Sequence, residues 1–155
     1  MIFETTLRFS EMPSHSSKVN FHFLSISFFL PKRKELKSFI EQLFKKEKKA
    51  LEHINYIFCS DDYLLKINQQ YLQHNFYTDI ITFDLSEKKE IIGEVYISID
   101  RVKENTINYN SSLLQESHRV IFHGALHLCG FDDKSADKKK LMTLKEDYYL
   151  KRYFS

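Results

Sequence analysis

The sequence predicts an α+β domain: a mixed sheet of about four strands packed against helices, with a metal site on a central helix. Three observations point there. Short β-branched runs of period two alternate with longer amphipathic runs of helical period. These runs follow the order β-α-β-α-β-β-α-α-α, which suits helices layered on one small sheet. The 155 residues are 43% hydrophobic and 28% charged, enough to fill one core and to exclude a wholly disordered chain.

Each element carries its own signal. Residues 1–17, with Pro13 beside Ser14, Ser16 and Ser17, read as a loose N-terminal extension before a single domain over 18–155. Val19, Phe21 and Phe23 alternate with Asn20 and His22, as a half-buried strand does. Pro31 suits a helix start, and Leu36, Phe39, Ile40 and Leu43 form one apolar face over residues 32–49. The rest of that helix is basic. Ile54–Cys59 is a compact strand, and Ser60 caps a helix whose Leu64, Ile67 and Tyr71 share a face. Thr78–Leu85 and Ile91–Ile99 are β-branched strands joined by a charged turn at Glu87–Glu90. A short helix covers Arg101–Asn108. Ser112 and Gln115 make a capping box, so a helix runs from there to Cys129, where Gly130 stops it. Ser135 caps a last helix, with Leu141, Leu144 and Tyr148 expected to face inward.

Composition narrows the class. With 3 Gly and 2 Pro, collagen-like and linker-rich architectures are excluded. A net charge of +2 gives no bulk argument for nucleic acid, so any such partner must be argued from a local site. Cys59 and Cys129 form neither a Cys-x-x-Cys unit nor a disulfide framework, which fits a reduced, cytoplasmic setting. The apolar stretch Phe21–Leu30 falls well short of the ~20 residues that span a bilayer. Glu4 and Glu11 precede it, Lys32, Arg33 and Lys34 follow it, and no small-residue cleavage site is present. A signal peptide is therefore not expected.

The segment richest in chemistry is Val120–Asp133. His123 and His127 are four apart, so their rings lie on one helical face and can converge on one ion. Val120, Ile121, Phe122, Leu126, Leu128 and Phe131 surround them, and imidazoles among apolar groups need partners. Gly124 inside the helix suits a close approach to its backbone, and Gly130 permits a chain reversal that brings Asp132 or Asp133 back to the rings. Two His and one carboxylate leave an open position, the form of a catalytic zinc site. The competing reading is a pair of core histidines bonded to carbonyls or water.

His123–Asp133 (HGALHLCGFDD) resembles the signature H-G-x-L-H-L-x-G-[YF]-D-H of the YbeY family of metal-dependent endoribonucleases, departing only at its last position. Asn68-x-x-Tyr71 with Thr78–Phe83 (TDIITF), and Gly93–Ser98 (GEVYIS), are similar to two further family stretches in the same order. The resemblance covers roughly residues 19–150. It implies one Zn²⁺, or another divalent transition metal, on His123, His127 and Asp133, and the same residues as the catalytic centre. Asp132 takes the family's Asp position, which leaves Asp133 as third ligand where most members have His. The resemblance also implies a single-strand-specific endoribonuclease that matures the 3′ end of small-subunit rRNA and serves ribosome quality control. The implied partners are RNA and ribosomal subunits or ribosome-associated proteins. Leu72 stands where the family usually has Arg.

Lys32, Arg33, Lys34, His74 and Lys134 are the candidate RNA contacts, and Tyr71, Phe76 or Tyr77 could stack on bases. Two other readings stay open. One is a zinc peptidase of metzincin-like layout, against which Gly124 stands where the general base would be. The other is a ribosome-assembly factor whose metal is structural.

Overall fold

A computed structural model describes residues 17–155, so the expected extension lies almost wholly outside the described residues. The elements are β1 (Val19–Phe23), α1 (Arg33–Lys46), β2 (Leu51–Cys59), α2 (Asp61–Leu72), β3 (Ile80–Asp84), β4 (Ile91–Ser98), α3 (Ile99–Asn108), α4 (Leu113–Leu128) and α5 (Ala136–Phe154). The sheet order is β1-β2-β4-β3. β1, β2 and β4 run parallel, and β3 pairs antiparallel with β4. The expected mixed α+β sheet is therefore what forms.

Strand alternation divides the core. Ile54, Tyr56 and Phe58 of β2 and Val95 and Ile97 of β4 face α1, α4 and α5. Ile57, Cys59, Ile81, Phe83 and Tyr96 face the other way, against Leu64 and Ile67 of α2. α4 lies close on the sheet because glycines make room for it. A Cβ on Gly124 would sit 2.8 Å from a Val95 methyl, and one on Gly93 would sit 2.4 Å from a Leu128 methyl. The close approach expected at Gly124 is thus with the sheet.

The caps follow their signals. Ser60, Ser112 and Ser135 accept the N–H of Tyr63, Gln115 and Lys138. Ser98 caps α3, so β4 ends one residue before Ile99. α1 ends at Lys46, three residues earlier than expected, because Lys48 turns left-handed and the Lys49 N–H closes on the Phe44 carbonyl.

One expectation is corrected. Leu141, Leu144 and Tyr148 of α5 do not face inward; they are 46%, 59% and 37% exposed. The buried stripe is Met142, Glu146 and Tyr149, with Tyr153 packed beside it. Two stripes of helical spacing overlap on α5, and the buried one contains an acid. Partners on α4 made that acid the one to bury.

Candidate metal centre

Two features of α4 build the site. Its interior spacing stacks His123 and His127 one turn apart, and its C-terminus folds back at Gly130. There the Gly130 N–H bonds to the His127 carbonyl and the Phe131 N–H to the Leu126 carbonyl, around a Gly130 φ of 102°. This left-handed turn is one that side chains resist. It returns Asp133 to the rings, so that ligand atoms of His123, His127 and Asp133 all lie within 4.8 Å of one another. Asp133 Oδ2 is 3.6 Å from His123 Nε2, and Oδ1 is 4.0 Å from His127 Nε2. Asp132 is engaged elsewhere. The Lys134 N–H and the Lys138 ammonium both bond it and hold its carboxyl below the usual range.

A layer of partners fixes the rings. Glu146 accepts from His123 Nδ1 at 2.7 Å and from Arg119 Nη1 at 3.0 Å, and Arg119 also donates to Asp147 at 2.7 Å. A carboxylate can only accept, so the His123 proton sits on Nδ1 and Nε2 presents a lone pair. The His127 Nε2 is turned to that of His123 at 2.9 Å. Two lone pairs that close repel unless a cation or proton lies between them. The donor set fits a divalent ion of the zinc class, with a carboxylate partner behind one ring.

Electrostatics separate the two imidazoles. Burial disfavours a charged His123, but the Glu146 bond and the Glu146, Asp133 and Asp79 charges outweigh it and raise its pKa. Burial and the neighbouring His123 lower that of His127. Cys129 is buried, with its thiol pushed up to about 12 by burial and then by Glu47, so it packs as an apolar group. His118 is a fully buried core residue, and its Nδ1 lies 2.7 Å from the Leu114 carbonyl.

Two cavities meet at the centre. One of about 770 Å³ holds His123, His127 and Asp133 with Asp79, Arg119 and Lys139. The other, of about 410 Å³, lies on the α2 side of His127 and is lined by Leu72, His74 and Phe76 among others. Thr78, Ile80 and His127 line both. His74 is therefore brought to the centre. Lys134 follows Asp133 but lines neither cavity, and neither do Lys32, Arg33 and Lys34. Arg33 lies over the Phe23 ring at 4.5 Å, and Lys34 borders a separate groove with Tyr153. Sequence reasoning missed Glu146, Arg119 and Asp79 as site residues. Asp79 stands within the TDIITF stretch and could have been found there. Glu146 lies 23 residues from its histidine on another helix, and no local pattern marks it.

Comparison with known proteins covers the segment that holds these residues. The profile of a family described as Endoribonuclease YbeY matches residues 27–154. A Cytophaga hutchinsonii protein named Endoribonuclease YbeY is 50% identical over 119 residues, covering 76% of this chain and 83% of its own length. One of the same name from Christiangramia forsetii is 42% identical over 130 residues, covering 84% and 90%. The solution structure of TM1509 from Thermotoga maritima superposes with a TM-score of 0.61 at 30% identity, covering 86% of this chain and 89% of that one. With a family profile matched from residue 27 to 154 and relatives 42–50% identical over most of the chain, this chain belongs to the Endoribonuclease YbeY family.

Proposed function

We propose that the protein is a metal-dependent endoribonuclease whose ion, zinc by choice of donors, is held by His123, His127 and Asp133. The observation that carries this reading is the convergence of three donor side chains within 4.8 Å at the junction of two cavities. A chain cut internally must continue on both sides of the reacting phosphate, and the two cavities leave room on both. The relatives' names supply the substrate class. When bound, such an ion supplies Lewis acidity toward a phosphoryl oxygen and lowers the pKa of water to about 7.

The protein's own side chains do the rest. Glu146 keeps the His123 proton on Nδ1 and so keeps Nε2 free to ligate. Lys139 brings positive charge to the larger cavity, where an RNA phosphate needs neutralising, while Arg119 in the same lining is committed to Glu146 and Asp147. Position 124 faces Val95 and Ile80 of the sheet, so it offers neither room nor a direction for the acidic base of a metzincin-like peptidase. His74 contacts RNA from the smaller cavity, while Lys32, Arg33, Lys34 and Lys134 act only as outlying charges. The family resemblance extends the proposal to 3′-end maturation of small-subunit rRNA, ribosome quality control and a ribosomal partner in the cytoplasm. No helix among the described residues is long and apolar enough to cross a membrane.

The test is cleavage of single-stranded RNA by wild type and His127→Ala purified side by side, with casein digestion as a control. The expected result is chelator-sensitive RNA cleavage by wild type alone and intact casein. RNA left uncut under every divalent metal, with ribosomal subunits still bound, would favour the assembly-factor reading instead.

A further inference from the structure

The smaller cavity contributes one histidine to the metal centre and is otherwise chemically unlike it. We propose that it seats one unpaired nucleobase beside the reacting phosphate. The base stacks on the Phe76–His74 pair, and its hydrogen-bonding edge meets the free backbone edge of β3. This rests on the ribonuclease reading and says which part of the substrate lies where.

Four observations converge. The cavity is continuous with the ion site through His127, Thr78 and Ile80. Its lining includes no lysine or arginine, so it has little to attract a phosphate, and its volume of about 410 Å³ suits a small planar group. The His74 and Phe76 rings lie 5.0 Å apart at 22°, and Phe76 is 56% exposed. That pair is held in place: the side-chain amide of Asn68, itself 1% exposed, donates to the Phe76 carbonyl at 2.9 Å, and the Asn68 backbone carbonyl accepts from the His74 N–H at 3.1 Å. An exposed aromatic pair on a loop fixed by a buried amide is a stacking platform open on one side.

The fourth observation is the strand edge. The Ser98 N–H bonds to the Asp79 carbonyl and the Leu85 N–H to the Ile92 carbonyl, in the register Ile81↔Tyr96 and Phe83↔Glu94. Odd-numbered residues of β3 therefore bond to β4, and the N–H and C=O of Thr82 point the other way. No strand lies beyond β3 among the described residues, and Thr82 lines the cavity. One donor and one acceptor side by side match the edge of a base. The Ile80 carbonyl, by contrast, is already taken by the Thr78 hydroxyl. A base in a duplex has its edge occupied and its faces covered, so this seat would admit single strands only.

The test is binding without chemistry. An unstructured oligoribonucleotide carrying 2-aminopurine is titrated into chelator-treated protein, with fluorescence quenching as the sign of stacking. Wild type should quench it. Phe76→Ala should bind about 10-fold more weakly, as loss of one base–aromatic stack does, and should quench little. With Thr82→Val as the control for the lost hydroxyl, Thr82→Pro removes the outward N–H, a change edge strands tolerate. It should weaken binding while circular dichroism and metal uptake stay at wild-type level. Equal binding by Phe76→Ala, or equal affinity for a fully paired duplex, overturns the proposal. So does displacement of the RNA by an extended peptide that protects the β3 amides. Cleavage is measured separately with metal restored. Quenching without any cleavage retains the seat and removes the ribonuclease reading, and cleavage without quenching does the reverse.

Discussion

Helices α4 and α5 pack against each other and share the candidate metal centre, yet they hide their roles differently. α4 wears one apolar face that the sheet, α1 and α5 cover, with Ile121, Phe122, Ala125 and Leu126 fully buried and both candidate ligand histidines at its rim. α5 buries Met142, Glu146 and Tyr149 and leaves Leu141 and Leu144 exposed. On α4, polarity in the sequence reports position. On α5 it misleads, because the buried Glu146 is neutralised by Arg119 and His123 of the partner helix. A buried acid with two cationic or donor partners is stable where an unpaired one is not. The contrast teaches that supporting residues of a site are the ones a hydrophobic pattern misplaces.

The sharpest way to break this comparison is at the ligands. His127→Ala should lose stoichiometric metal on elemental analysis, along with cleavage, a larger effect than any change on α5. Glu146→Gln comes next. It keeps the shape but loses the charge that orients His123, and metal affinity should drop about 10–100-fold in a competition titration with a chromophoric chelator. Unchanged affinity would reduce Glu146 to a packing residue. Gly124→Ala tests the covered face of α4. The added methyl presses on Val95 at 2.8 Å and should cost about 1–3 kcal/mol in urea unfolding.

A fourth prediction concerns the α4–α5 contact, where His118 stacks on Tyr153 at 5.0 Å. Burial holds the His118 pKa below the ordinary value near 6.5. The unfolded chain therefore takes up the proton first. Stability from the neutral ring is full above about pH 6.5 and is lost as pH falls from there through the folded pKa. Urea midpoints at pH 7.5 and 5.5 should differ less in His118→Gln than in wild type. The smallest effect sharpens the face of α5: Leu144→Lys should change stability by under about 0.5 kcal/mol, whereas Met142→Ala should cost about 2–5 kcal/mol.

Local signals were legible because local physics makes them. The serines at 60, 112 and 135 cap helices where orphan N–H groups must be satisfied, and Gly130 supplies the positive φ that returns Asp133. The basic first turn of α1 shows the limit. Lys32, Arg33 and Lys34 read as a patch near the site, but α1 docks on the β1 side and Arg33 packs over Phe23. Charge along a chain carries no address until the helices are placed.

By itself the sequence determined the element order, the caps, the histidine face and its returning carboxylate. All of these depend on residues within a turn or two of each other. Tertiary structure alone decided the sheet order, the buried face of α5, the Arg119–Glu146–His123 chain and the second cavity along β3. These arise from contacts between segments far apart in sequence. Such contacts are selected by the packing and charge of the whole core, and no short window of residues encodes them.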